Sequence, residues 1–437
     1  MTFQRFLAFL LAAALLLGVL PAQAETVGPN PLLSPVPVSR LKTEDEFLNL
    51  LLLGLDLGFE GYMASGMKTE IEEAHTDLVM VVAINKTKNT ISLLSIPRDT
   101  VVYVPEVYGI YKLNAAFNCA DGVRTGFRRA CETVSWLLGG VKIDAYAALD
   151  MQALITLCDA LGGVDFDLEM SYLGSSGVYY EKGPQHLDGI GIMDYVRART
   201  NATEGGTDEG RADRGRQMVS AIIGKLMGNW ALVSDLWALS GKSYVRFYTN
   251  VDELGTLASL WQVATKLNSA QIGSYALSGD YRLAMSEWNF TFTDPAHRQE
   301  VLKTVYGVDA EDLAYTGKAY LDWLMDQGGL TTARAIRQTD AILEYARRQK
   351  NPSAAMQSAL ANCEALRDAA ASAFDAAARS QSESDTARMN AIRRELTASA
   401  DQAARAFGYK KAYTWTLDPS RWNEDPLINE YFEINWQ

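Results

Sequence analysis

The chain has 437 residues and a formal net charge of −13, with 40 lysines and arginines against 53 aspartates and glutamates. That balance argues against nucleic acid as a partner, because gripping a phosphate backbone needs a basic face, though a local basic pocket stays open. Four cysteines, three histidines and no CxxC or zinc-spaced Cys/His pair exclude a disulfide scaffold and a structural zinc.

Residues 1–24 have the three parts of an export leader: Arg5, an apolar run from Phe6 to Leu20, and a small-x-small end at Pro21-Ala22-Gln23-Ala24. The run falls short of the roughly 20 residues that span a bilayer as a helix, so a cleaved signal is expected, with an uncleaved anchor as the competing reading. Either places the remainder outside the cytoplasm, secreted or attached to the envelope. Residues 25–45, with Pro29, Pro31, Pro35 and Pro37, read as an extended linker. The rest of the chain is too long for one core, and two parts are expected, 46–285 and 286–437.

Leu48 to Leu55 is an apolar run that predicts a buried strand, with Asp56 at its exit. Asp77 to Asn85 and Thr90 to Ile96 predict two more, joined by the polar turn Lys86-Thr87-Lys88-Asn89. Pro97 stops the third strand and delivers Arg98 and Asp99. Strand ends that carry charge are where α/β proteins build sites. Helices are expected at Gly126–Leu138 and Asp150–Leu161, each closed by a Gly-Gly pair. Asp144, Asp150 and Asp159 read as caps rather than ligands. Cys119 and Cys131 are near enough in sequence to close a small loop, which spacing alone does not decide.

Five arginines and no lysine fall between Arg197 and Arg216: Arg197, Arg199, Arg211, Arg214 and Arg216. Guanidinium forks suit bidentate phosphate recognition better than ammonium groups do. Arg197 and Arg199 share a side if the segment is extended, and Arg211 and Arg214 share a face if a helix begins there. Met218, Val219, Ile222, Ile223, Leu226 and Met227 then predict an amphipathic helix. Strands at Tyr244–Tyr248 and Ile272–Leu277 complete an α/β unit near 285. Beyond it, Asp294-Pro295 opens a helix, and Ala-rich helices are expected at 331–350, 353–378 and 386–406, packed antiparallel. An aromatic segment with Trp415, Trp422 and Trp436 ends the chain.

Taken in order, several of these elements resemble the LytR-CpsA-Psr family of cell-wall glycopolymer transferases. They are Leu51-Leu-Leu-Gly-Leu-Asp56, His75-Thr-Asp77-Leu, Ser95-Ile-Pro-Arg-Asp-Thr100 and Lys112-Leu-Asn-Ala-Ala-Phe117, then Asp159-Ala-Leu-Gly-Gly-Val164 and Gly183-Pro-Gln-His-Leu-Asp-Gly189. Tyr195-Val-Arg-x-Arg199 and Asp208-x-Gly-Arg211-x-x-Arg214 complete the series. The resemblance implies a three-layer α/β/α domain with a central mixed sheet; the all-α region containing a helical hairpin that follows it rests on the helical patterns alone. The resemblance also implies transfer of a glycopolymer from an undecaprenyl-pyrophosphate carrier to peptidoglycan at the membrane surface. Asp56 and Asp77 would hold Mg²⁺ or Mn²⁺. Arg98, Arg197, Arg199 and Arg211 would grip phosphate, with Asp208 as base or arginine orienter. Lys112, Asp99, Arg214 and His75 would stand at the pyrophosphate.

Residue chemistry agrees. Breaking a pyrophosphate linkage needs charge neutralised on the leaving phosphate, and a prenyl chain needs an apolar cavity. Two departures stand out: His75 and Gly215 occupy positions where the family usually has arginine and glutamine, and Gln217 is the nearby candidate to replace the latter. Two other functions compete: a non-catalytic binder of lipid-linked polysaccharide, with the C-terminal helices docking a protein partner, and a pyrophosphatase acting on such lipids.

Overall fold

The computed structural model describes residues 43–411 except 59–67, 69, 110, 118–121, 175, 199–207, 228–246, 251–271, 278, 286–287, 309–319, 321–322 and 325. The leader, nearly all of the linker, Cys119, Arg199, residues 244–246 and the aromatic C-terminal segment lie outside the described residues, as do the side chains of Asp208 and Arg211. Among the described residues no helix is long and apolar enough to cross a membrane.

Three central strands form from the apolar runs: β1 (Phe47–Leu55), β2 (Thr76–Asn85) and β3 (Thr90–Ser95). A short hairpin, β4 (Val101–Val102) and β5 (Tyr111–Lys112), comes next, and then helix α1 (Val123–Leu137). After these come β6 (Ala145–Leu149), α2 (Met151–Ala160), β7 (Val164–Leu168) and the ribbon β8 (Tyr172–Leu173) and β9 (Tyr179–Tyr180). The chain continues through β10 (Gly183–Leu187), α3 (Gly189–Arg197), α4 (Asp208–Met227), β11 (Phe247–Thr249) and β12 (Ile272–Ala276). A hairpin, β13 (Gly279–Met285) and β14 (Trp288–Thr293), leads to α5 (Pro295–Tyr306), α6 (Gly329–Arg347), α7 (Ala354–Ser380) and α8 (Glu383–Phe407).

The main sheet is mixed, in the order β11-β6-β1-β2-β3-β12. Both faces are covered, which is why β1 and β2 are apolar runs rather than alternations. On one side Leu51, Leu53, Val79, Val81 and Leu94 join a core with Phe127, Val134 and Leu137 of α1 and Leu302 and Val305 of α5. On the other, Leu50, Met80, Val82 and Leu93 meet Cys158 of α2, Tyr195 of α3 and Met218 and Ile222 of α4. This is the expected α/β/α layering.

The strand pairings bring four chain segments to one rim. β1 and β2 are antiparallel, with Leu55 opposite Thr76, so Asp56 leaves where Asp77 enters. Antiparallel β3, with Ser95 opposite Met80, carries Pro97-Arg98-Asp99 to the same end. Parallel β6 sets Leu149 beside Gly54. Asp150 caps α2 as expected, accepting from Ala153 N at 2.8 Å. Asp159 accepts from the first amide of α3, Gly189 N, at 2.7 Å, whereas Asp144 caps no helix: it accepts from Asn49 N of β1 at 2.9 Å.

α7 and α8 form an antiparallel hairpin, with Asn362 Nδ2 donating to Ser399 Oγ at 2.8 Å, and α6 lies alongside, with the Arg367 guanidinium on Asp340 at 2.7 and 3.0 Å. Alanines let the helices approach closely: Ala370, Ala377 and Ala378 are fully buried. This region shares its core with the sheet, because Phe374 of α7 is fully buried and packs edge-on against Tyr108, ring centroids 5.4 Å apart, and near Trp323 at 5.7 Å.

Phe374→Ala should therefore destabilise the whole described fold by about 3–5 kcal/mol. Chemical denaturation should show one shifted transition, and a separate early transition with the sheet's midpoint unmoved would mean that the C-terminal helices fold on their own.

Candidate functional site

The rim where β1, β2, β3 and β6 converge opens into a cavity of about 140 Å³ between the sheet and helices α2, α3 and α4. Its wall is mostly apolar. Leu52, Leu53 and Gly54 come from β1, Leu78 and Val79 from β2, Leu149 from β6, Met151 and Leu154 from α2, Val196 from α3, and Met218 and Val219 from α4. Asp77, Arg98 and Arg197 supply the charge, together with Asp150, whose carboxylate is engaged in capping α2. Of the apolar residues of α4, Met218 and Val219 line the cavity, whereas Ile222 lies only in the core.

At the charged end one carboxylate faces two guanidiniums. Arg98 Nη1 donates to Asp77 Oδ1, and Arg197 Nη1 stands 3.9 Å from Asp77 Oδ2. Burial works against the Arg98 charge, but Asp77 and Asp99, with Asp56 behind them, more than offset it and raise its pKa above the ordinary value. Arg197 Nη1 is buried and has no hydrogen-bond acceptor among the described residues. A buried guanidinium N–H normally finds one, so this group is aimed at something the described residues do not supply.

Lys112 and Asp99 stand one layer back. Lys112 Nζ meets Asp99 Oδ1 at 2.7 Å, Asp99 Oδ2 lies 3.5 Å from Arg98 Nε, and both residues are buried. Burial lowers the Lys112 pKa, with Asp99 pulling the other way. Neither residue lines the cavity, so their contacts serve to orient Arg98. The turn itself is fixed by Thr100, whose amide and hydroxyl both donate to Pro97 O, at 3.1 and 2.6 Å.

Several expectations are corrected. Arg197 lies on the last turn of helix α3, not on an extended segment. Arg214, expected at the pyrophosphate, is buried and donates from Nε to Tyr195 O at 2.9 Å and from Nη2 to Ala198 O at 2.7 Å. Burial lowers its pKa, and its contacts fasten the end of α3 to α4. His75, also expected at the pyrophosphate, is turned toward Asp56: its amide donates to Asp56 Oδ1 at 2.7 Å, and its ring Nδ1 is 3.6 Å from Oδ2. Gln217 accepts from Tyr195 OH at 3.1 Å and donates to Glu169 at 2.8 Å, away from the cavity. Gly215 does line the cavity, and a Cβ there would come within 2.6 Å of Leu78 Cδ1. Arg216, not singled out from sequence, donates to Ser95 Oγ at the cavity wall and to Asp213. Only its place in the arginine segment pointed to it.

Asp56 and Asp77 sit at the same end of paired strands and offer hard oxygen donors, and no cluster of three or more His, Cys, Asp or Glu side chains gathers among the described residues. Two carboxylates fit Mg²⁺, which takes its remaining ligands from phosphate and water.

The profile of the LytR_cpsA_psr family matches residues 25–304. The chain belongs to that family. The polyisoprenyl-teichoic acid–peptidoglycan teichoic acid transferase TagV of Bacillus subtilis is 28% identical over 271 residues, 60% of this chain and 64% of that protein. The probable cell wall biosynthesis protein LcpB of Corynebacterium glutamicum is 34% identical over 180 residues, 40% of this chain and 41% of that one. The match thus spans less than two thirds of either relative's length. In fold, the crystal structure of protein gbs0355 from Streptococcus agalactiae superposes with a TM-score of 0.50 at 20% identity, covering 63% of this chain and 95% of that one.

Since Arg214 holds two carbonyls and Arg197 holds none, their lysine variants should part. Arg214→Lys should lower stability by about 1.5–3 kcal/mol, as directed bonds from a charged donor are lost. Arg197→Lys should leave it nearly unchanged. Equal melting temperatures for the two would contradict the assignment.

Proposed function

We propose that the protein is an extracytoplasmic phosphotransferase. It moves a glycopolymer from a polyprenyl-pyrophosphate carrier to peptidoglycan, at the membrane surface where that carrier resides. The observation that carries this reading is the placement of Arg98 and Arg197 on Asp77 at the charged end of an apolar cavity. A prenyl chain in the cavity would present its pyrophosphate to both guanidiniums, and Arg197 Nη1 would gain its missing acceptor. The teichoic acid transferases among its relatives support the same substrate class.

In this reaction the acceptor sugar's hydroxyl oxygen bonds to the phosphorus nearer the glycopolymer. The bridging P–O bond breaks, and the prenyl phosphate leaves with the bridging oxygen. The hydroxyl proton passes to a base, for which Asp208 at the start of α4 is the proposed residue. Arg98 and Arg197 hold the phosphate oxygens in line, and their charge stabilises the negative charge that develops on the leaving group. Arg199 and Arg211 join them in this proposal on the strength of the sequence motif.

Charge balance supports a metal. Arg98, Arg197 and Lys112 face Asp56, Asp77 and Asp99, three cations against three carboxylates. Among the described residues, a pyrophosphate therefore needs positive charge beyond this set, to which Arg199 and Arg211 would contribute in this proposal. Mg²⁺ or Mn²⁺ on Asp56 and Asp77 would supply it, neutralising phosphate oxygens when bound. His75 would then hold Asp56 in place.

Two variants separate head group from tail. Arg197→Ala should cut transfer from a prenyl-pyrophosphate glycan by about 10²–10³ in rate. Gly215→Leu should push Leu78 into the cavity and weaken binding of prenyl pyrophosphate while leaving inorganic pyrophosphate binding unchanged. Normal turnover by Arg197→Ala, or equal loss of both ligands in Gly215→Leu, would sink the proposed binding mode.

A further inference from the structure

The C-terminal helices lie beyond the 25–304 family match, yet one of them reaches the chain segment that leaves the Arg98 turn. Tyr103 is 1% exposed, and its hydroxyl donates to Asp375 Oδ1 of α7 at 2.5 Å. The Glu106 amide donates to the same oxygen at 3.3 Å. Glu106 takes a left-handed backbone, φ +64°, which a non-glycine residue keeps only when its surroundings hold it. Its carboxylate is gripped from α1, by Arg128 at 2.5 Å and Arg129 at 3.3 Å. Burial raises the Asp375 carboxyl above its ordinary range, while the Tyr103 hydroxyl and Glu106 amide pull it back down.

The path from Tyr103 back to the site is short and stiff. No glycine lies between Arg98 and Tyr108. β4 pairs with β5, placing Val101 opposite Lys112. Leu113 N donates to Thr100 O at 2.8 Å, and Asn114 N to Arg98 O at 2.9 Å. Lys112 in turn holds Asp99, which faces Arg98. A shift at Tyr103 thus passes along paired backbone to the guanidinium at the cavity.

We propose that α7 sets the position of Arg98 through the Asp375–Tyr103 hydrogen bond, so that Asp375 is a positioning residue for the site although it touches no part of the cavity. The added helices are then a brace for the site. This rests on Arg98 being a phosphate-binding group, as the proposed phosphotransferase requires.

The test compares Tyr103→Phe, Asp375→Ala, their double variant and the conservative Asp375→Asn, which keeps an acceptor oxygen. Hydrogen exchange is followed in peptides spanning 98–114 and 79–85, and farnesyl pyrophosphate binding is titrated by calorimetry. In the first two variants exchange across 98–114 should rise about tenfold while 79–85 stays protected, and affinity should weaken about tenfold. The double variant should be no worse than Asp375→Ala, because that substitution already breaks the one bond that Tyr103→Phe removes. Asp375→Asn should stay near wild type. Unchanged exchange at 98–114, or an equal rise at 79–85, would overturn the brace. Raised exchange with unaltered affinity would overturn the positioning role. Should Asp375→Ala fail to fold, Tyr103→Phe decides, since it removes one oxygen. A wild type that binds no farnesyl pyrophosphate would remove the ligand reading, and exchange alone would then judge the brace.

Discussion

Two guanidiniums are held close together at the charged end of an apolar cavity only because a carboxylate lies between them. Arg98 and Arg197 repel each other, and taking both partly out of water adds a desolvation cost. Asp77 offsets both terms, with one oxygen on Arg98 and the other facing Arg197 at 3.9 Å. The three side chains come from different elements: the entry of β2, the turn after β3 and the last turn of α3. The sheet order, the Pro97 stop and the seating of α3 on α4 by Arg214 all serve to bring these elements together.

The same arrangement explains why charge stops abruptly and apolar surface begins. The strand register that brings Asp77 to the rim also turns Leu78, Val79, Leu53 and Gly54 into the wall behind it. Helices α2 and α4 close the other side with Met151, Leu154 and Met218. A ligand with a polyanionic head and a hydrocarbon tail matches both halves. Neither a free sugar nor a nucleic acid does.

Much of the architecture was legible in the sequence because central strands covered on both faces must be apolar runs. That gave β1, β2 and β3 with their charged exits, and the caps and glycines gave α2, α5 and the C-terminal helices. β6 was missed because Ala145-Tyr-Ala-Ala-Leu149 has no β-branched residue, and α3 because its Gly189-Ile-Gly-Ile start reads as loop. Missing α3 put Arg197 on the wrong kind of backbone. Within the arginine segment, sequence could not separate Arg197 from Arg214. Residue type is the same, and only tertiary packing assigns one to the cavity and the other to two carbonyls. Likewise the His75 departure drew attention as a lost phosphate contact, whereas the fold gives the ring to Asp56. The Tyr103–Asp375 bond joins residues 272 apart in sequence, a pairing that no local pattern announces.

The most direct measurement is a crystal structure of the protein with a short prenyl pyrophosphate and Mg²⁺. Phosphate oxygens should lie within hydrogen-bonding reach of Arg98 and Arg197, with the metal on Asp56 and Asp77 and the hydrocarbon between Leu78 and α4. A pyrophosphate bound elsewhere, or a chain lying outside the cavity with Arg197 Nη1 still lacking an acceptor, would contradict this assignment.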